Sequence, residues 1–399
     1  MRRPPAAVFG LLYFPFGLMV GYPSVTLGYL IAQAGLPVSV AASVFGVALF
    51  PHTLKVLWAP IGDLTLNRRR WYLVALTAGA ASLVAATTVP VSTRTIPLLA
   101  SLVFLANLAT TFLAFAVEGL MAWNVPAEGK GKAAGWFQAG NQVGQTLGGG
   151  IGLFLVTYLP RTWMAGAVLA ALLACCAIPL AWLDEPPRLH EGRVRDGIRQ
   201  VLHELREVLL TRVGRLGALL AILPIGTAAS QYLFSAVAPE WRASGNVVSA
   251  VLGLGGGTAI ALGCLVGGLA TDRLPRHVAY ALATALSLGT ALAMALTPRT
   301  PLAFAIATLT YILVNGACQA ALSGMIFGLI GTGATATKMN LFIALNTLGG
   351  LTAIRIVGQA HDRWQAGGML LTEVALGGAA LALFALVARR MPGRATAND

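Results

Sequence analysis

Apolar runs of about twenty residues, separated by short polar connections, recur twelve times along the chain. A hydrocarbon core of ~30 Å takes about 20 helical residues. The pattern therefore predicts membrane-spanning helices near 7–31, 38–60, 71–90, 97–123, 133–158, 163–183, 215–238, 246–270, 277–296, 301–325, 336–360 and 367–388. The expected fold class is all-α and polytopic, with the twelve spans arranged as two pseudo-symmetric six-helix bundles. One long polar segment interrupts the series, "DEPPRLHEGRVRDGIRQVLHELREVLLTRVGR". In it Ile198, Val201, Leu202, Leu205, Val208 and Leu209 recur at helical spacing, with Arg195, Arg199, Glu204, Arg206 and Glu207 off that stripe. This predicts an amphipathic helix lying on the membrane surface and joining the halves. The expected organisation is 1–185 for the first half, 186–213 for the linker helix, 214–391 for the second half and 392–399 for a tail.

Composition agrees with the pattern. Only 10% of the 399 residues are charged and 57% are hydrophobic, too few polar groups to cover a water-soluble domain of this size. The net charge of +13 does not point to nucleic acid, because the basic residues sit in short clusters between apolar runs. Placing the N-terminus, the even-to-odd loops and the C-terminus on one side collects 20 of the 27 basic residues there. By the positive-inside rule that side is cytoplasmic, and both termini lie on it. The first apolar run is too long for a signal peptide and lacks a clear cleavage site, so it reads as a retained span. Cys175, Cys176, Cys264 and Cys318 fall inside apolar runs without metal-ligand spacing, which predicts packed thiols and no cofactor or metal.

The halves repeat one another. "FPFG" at 14–17 and "LPIG" at 223–226 are 209 residues apart, as are Asp63 and Asp272; Asn107 and Asn315 are 208 apart. Phe137, Asn141 and Gly144 recur as Phe342, Asn346 and Gly349, 205 apart. Parallel repeats of this kind, with a substrate site between them, are the build of secondary transporters. With Gly62-Asp63 and Arg68-Arg69-Arg70 between spans two and three, and Gly268-Leu-Ala-Thr-Asp272-Arg273 in the second copy, the chain resembles the major facilitator superfamily. The first copy shortens the family's glycine-to-aspartate gap. The resemblance implies that Asp63, Arg68 and Arg70, and in the second copy Asp272 and Arg273, form charge-and-cap gates that hold one conformer closed. "LKVLWAPIGD" and "AVEGLMAWNVPAEGKGKAAG" are similar to the branch of AmpG-type muropeptide permeases and acetyl-CoA transporters, which includes permeases for rhizobactin- and pyochelin-type siderophores. Glu118 stands where those relatives carry aspartate. The fifth span, "GNQVGQTLGGGIG", has no proline before its glycine pair, unlike the antiporter pattern, so an importer or symporter is favoured over a drug exporter. The resemblance implies a multi-pass protein of the bacterial inner membrane, expected as a monomer, whose partners are the bilayer, a small-molecule substrate and protons.

Ionisable groups inside spans are costly and usually face partners or water. Lys55 lies eight residues before Asp63, about 12 Å deep at ~1.5 Å rise per residue. Glu118 lies eight before Pro126, at a similar depth from the same side. The two are expected to meet, either as a static pair fixing helix packing or as a substrate or proton site. The same arithmetic from the opposite side pairs Arg355 with Glu373 as a structural bridge or outer gate. Polar stripes mark helix faces: Asn107, Thr111 and Glu118; Tyr311, Asn315, Gln319 and Ser323; Gln138, Asn141, Gln142 and Gln145. Such stripes either see a watery cavity or bind helices together. The family resemblance favours cavity lining in spans four and ten, and Tyr22 and Gln231 hold repeat-equivalent positions in spans one and seven. Gly140, Gly144, Gly148 and Gly152, with Gly253, Gly257, Gly263 and Gly267, predict close backbone packing between the halves. His52 reads as a buried neutral histidine.

A membrane-embedded transferase is the competing class, but the loops hold no histidine–aspartate constellation and the spans no Ser-His-Asp set. A scaffold or receptor has no need of Lys55 and Glu118 in lipid. The leading expectation is an alternating-access, proton-coupled importer of a polar molecule such as a muropeptide or siderophore. Exporters and facilitators of small metabolites stand behind it.

Overall fold

The structure, a computed structural model, describes residues 4–55, 65–126, 130–185, 228–330 and 335–388, with isolated positions between 199 and 226. Of the expected linker helix only Arg199, His203, Arg206 and Leu210 are among the described residues, all helical and exposed; Asp63 and the side chain of Asp272 lie outside them.

Among the described residues the chain is helical, without strands. The helices are α1 (Ala7–Gln33), α2 (Val38–Thr53), α3 (Arg68–Thr88), α4 (Ile96–Asn124), α5 (Lys130–Tyr158) and α6 (Thr162–Trp182). In the second half the described part of α7 includes two short pieces, Ala229–Leu233 and Phe234–Val237. It is followed by α8 (Gly245–Thr271), α9 (Arg276–Leu296) and α10 (Pro301–Ile330). A last helical stretch, Thr335–Ala388, is divided by non-helical backbone at Trp364 and Gln365 into α11 (335–363) and α12 (366–388). The stop arises because Gln365 takes a positive φ of 57°, costly for a residue with a Cβ. Eight of these stretches are long and apolar enough to cross a membrane, one of them comprising both α11 and α12.

The face at which α1 begins and α12 ends is called here the terminal face, and the other the far face. Helix α1 packs on α5 and α4 within the first half; α8 packs on α10, and α9 on α10 and the last stretch, within the second. Contacts between the halves use α1, α2 and α5 on one side and α7, α8 and α11 on the other. Those contacts gather in the far half of the molecule. The Ser39 amide, at the free N-terminus of α2, donates to Asp362 Oδ1 at 3.2 Å, and a Cβ on Gly358 would press on Ala42. The Ser235 hydroxyl donates to the Ser24 carbonyl at 2.5 Å, and Phe45 stacks on Tyr232. Gly150 and Gly253 are backbone to backbone: a Cβ on Gly150 would stand 2.7 Å from the Gly253 Cα.

The glycine stripe corrects an expectation. Gly140, Gly144, Gly148 and Gly152 face Gly10, Phe14, Leu18 and Thr26 of α1, inside the first half, and Gly263 and Gly267 face Leu313 and Ala317 of α10. Of the expected glycines, Gly253 and Gly257 lie between the halves, against Gly150 and Thr146 of α5; Gly28, against Ser235, and Gly358 do so as well. Small-residue spacing marks a close approach but does not name the partner helix.

Candidate functional site

Helix α2 ends beside Lys55, and α4 carries Glu118 past it at the same depth. Lys55 Nζ lies 2.5 Å from Glu118 Oε1, and the side chains keep 22% and 40% of their exposure. The pair is thus charge-compensated yet still partly accessible. Aromatic rings from two further helices line it. Tyr13 of α1 stacks between Phe16 and Phe137 of α5, with ring centroids 4.6 and 3.6 Å away, and Phe16 meets the His52 ring edge-on. His52, one turn before Lys55, approaches Asn107 Oδ1 through Nε2 at 3.4 Å. Three of the four contributing helices, α1, α2 and α5, also touch the other half at other positions.

The remaining polar positions sort by burial. Asn107 is fully buried and binds the carbonyls of Met19 and Val103, while Thr111 is spent on the Leu108 carbonyl of its own helix. Tyr22 is buried as well. In this conformer Asn107 ties α4 to α1, Thr111 is satisfied within its own helix, and Tyr22 packs in the core. Asn141, Gln142, Gln319 and Asn346 are partly exposed. Asn315 Nδ2 donates to Gln231 Oε1 at 2.8 Å, tying α10 to α7.

At the terminal end the α3 N-terminus is held by acid. Arg68 and Arg69 amides donate to Glu185 at 2.5 and 3.1 Å, Asn67 caps the Arg70 amide, and the Arg68 guanidinium lies 3.7 Å over the Phe115 ring. Carboxylate and amide oxygens are the groups that a helix N-terminus favours. Arg70 and Arg273 are exposed.

The expected Arg355–Glu373 bridge does not form. Arg355 is exposed, whereas Glu373 is buried and accepts a 2.6 Å hydrogen bond from the Tyr311 hydroxyl. Equal depth was satisfied but azimuth was not: Thr352, Arg355, Gln359 and Arg363 share the exposed face of α11, opposite Ile354, Val357 and His361. The acid that does organise the far face is Glu240, in the turn Ala238–Trp241. It pairs with His361 Nε2 and accepts from the Ala366 amide at 3.2 Å, while Asp362 Oδ1 lies 3.8 Å from His361 Nδ1. Burial opposes ionisation of Glu240. The hydrogen bonds from His361 and Ala366, with the charges of His361 and Arg299, outweigh it and hold the carboxyl below its usual range. Sequence reasoning missed this cluster, although Glu240 is the only acid between 215 and 271.

Two six-helix halves with mutual contacts at one face, and a half-open ion pair between aromatic rings toward the other, define a polytopic membrane transporter. The chain belongs to the Major Facilitator Superfamily, whose family profile matches residues 9–354. Among solved structures it is similar to a mutant of the nucleoside transporter NupG (12% identity, 96% of this chain and 98% of that one, TM-score 0.74). It is also similar to the xylose transporter XylE from E. coli in a partially occluded inward-open conformation (15%, 98% and 99%, 0.70). A POT family transporter in complex with a thioalcohol-conjugated peptide is similar too (9%, 97% and 96%, 0.73). At these identities the likeness concerns the fold. No curated protein matches the sequence.

Proposed function

We propose that the chain is a proton-coupled importer of a polar, anion-bearing solute such as a muropeptide or siderophore, akin to the AmpG-type branch of its superfamily. The observation that carries this reading is the Lys55–Glu118 pair, partly exposed and framed by Tyr13, Phe16 and Phe137. A solute carboxylate has the chemistry to replace Glu118 at the Lys55 ammonium. Glu118 is then left without its counter-ion inside the bundle, where an unpaired carboxylate is costly, and a proton taken up from water replaces that counter-ion. Solute and proton thereby enter the same cycle. The far-face contacts fit a conformer open toward the terminal face, which we assign to the cytoplasm on the charge bias of the loops. In this reading both termini are cytoplasmic, the protein is a monomer in a bacterial inner membrane, and 186–213 links halves at 1–185 and 214–391. A transferase activity has no constellation to support it among the described residues.

A thermal-shift screen of the purified protein against muropeptides, ferric siderophores and acyl-CoA compounds tests the site, since a ligand of the folded form raises its apparent stability. One class is expected to raise Tm in the wild type and to lose at least tenfold in apparent affinity in Lys55→Met. Unchanged affinity in Lys55→Met removes the ion pair from the binding site.

A further inference from the structure

The second half holds an acid that the reading above leaves unused. Glu373 of α12 is buried, and no lysine or arginine pairs with it among the described residues. An uncompensated carboxylate is strongly disfavoured in such a setting. Its Oε1 accepts from the Tyr311 hydroxyl, but its Oε2 has no hydrogen-bond partner. The fully buried Ser230 hydroxyl is also without one. These two orphans are neighbours: the Ser230 hydroxyl and the amides of Ala229 and Ser230 approach the carboxylate without closing a hydrogen bond. They do so because α7 is broken there. Ala228, at φ 48°, is left-handed, and the turn Ala229–Leu233 starts directly after it, which sets its first amides toward the acid.

A single proton resolves both orphans. Placed on Glu373 Oε2, it donates to Ser230 Oγ, and the carboxyl becomes neutral while Oε1 continues to accept from Tyr311. A metal cation fits less well. It needs several oxygen ligands, whereas the amides of Ala229 and Ser230 turn N–H groups toward the acid, and these repel a cation. The other titratable groups nearby are neutral in character: Tyr232 of α7 and Cys318 of α10 lie around Tyr311. The charged groups Arg299, Glu240 and His361 stand at the far end of α12, where the Arg299 guanidinium lies against Gly367.

We propose that Glu373 is a proton-carrying site, distinct from Lys55–Glu118, which exchanges its proton with the state of the α7 break. With the proton bound, Ser230 is held through its hydroxyl. When the proton leaves to water, the carboxylate attracts the amides of Ala229 and Ser230 and draws the start of the broken helix toward α12. Because α7 meets α1 through Ser235 and Ser24, and α2 through Tyr232 and Phe45, that movement reaches the contacts between the halves. The inference rests on the transporter reading only for this last consequence.

Infrared difference spectra of the full-length protein in lipid, taken between acidic and alkaline buffer without sodium, read the protonated carboxyl directly. The expected result is a buried carboxylic-acid carbonyl band that disappears in alkaline buffer. It is lost in Glu373→Gln and kept in Glu118→Gln. If Glu373→Gln does not fold, Ser230→Ala and Tyr311→Phe serve instead, each shifting the band's frequency by removal of one hydrogen bond. A spectrum unchanged by all three substitutions overturns the proposal. So does a band abolished at constant pH by sodium chloride, which makes the acid a sodium ligand. Neither result bears on whether Lys55 and Glu118 bind solute, so the two readings fail separately.

Discussion

Single side chains decide most here where charge meets a dry environment. Lys55 and Glu118 were placed together by depth alone, eight residues before Asp63 and eight before Pro126, because a helix converts residue count into height. The same count failed for Arg355 and Glu373, since height says nothing about which way a side chain points. The apolar residues Ile354 and Val357 carried the missing azimuth, as they mark the buried face of α11 and leave Arg355 on the other. Tyr13 lacked any such signal, because aromatic residues are common throughout apolar spans. At the far face, Glu240 is ionised more readily in the folded protein than in the unfolded chain. A carboxyl with a depressed folded pKa contributes stability that is full above its unfolded value of about 4.3. That contribution is lost as pH falls through the lower folded value. Thermal unfolding of Glu240→Gln is therefore expected to show a lower Tm than wild type at neutral pH and a shallower fall toward acid. Parallel curves from neutral to strongly acidic pH exclude this role for Glu240.

Helices as units were legible where hydropathy was continuous and less so where backbone geometry intervened. The twelve spans were visible as apolar runs, yet the break at Ala228 was not. A left-handed alanine has no sequence signature comparable to glycine. Glycine patterning in α5 announced close packing but assigned it to the wrong partner for four of its members, because α1 and α8 are reached from adjacent faces of one helix. This divides the glycines into two functional kinds. Gly144→Ala puts a methyl group against the Phe14 carbonyl inside the first half, and overpacking of that sort costs roughly 1–3 kcal/mol. It is expected to lower Tm. Gly150→Val places its bulk against Gly253 between the halves. Its effect should fall on conformation: cysteine labelling at the far face is expected to increase, with little change in Tm. Equal Tm losses without altered labelling would place Gly150 with the packing glycines.

For the whole molecule, the described contacts between the halves cluster toward one face, while the Lys55–Glu118 pair lies toward the other and Glu373 lies within the second bundle. That distribution is what alternating access requires: one set of contacts to break, and charged groups whose partners change as it breaks. Internal repetition and charge bias made this architecture readable from sequence. Substrate identity was not readable, because aromatic rings and one ion pair do not single out one solute.

The most direct measurement is accumulation of the solute selected by thermal shift into proteoliposomes under an imposed proton gradient, compared among wild type, Glu118→Gln and Glu373→Gln. Wild type is expected to concentrate the solute when the outside is acidic and to stop when the gradient is collapsed. Glu118→Gln is expected to retain binding but lose at least tenfold in gradient-driven uptake, with Glu373→Gln likewise uncoupled. Uptake by Glu118→Gln equal to wild type, and as steep in its dependence on the gradient, would contradict the account.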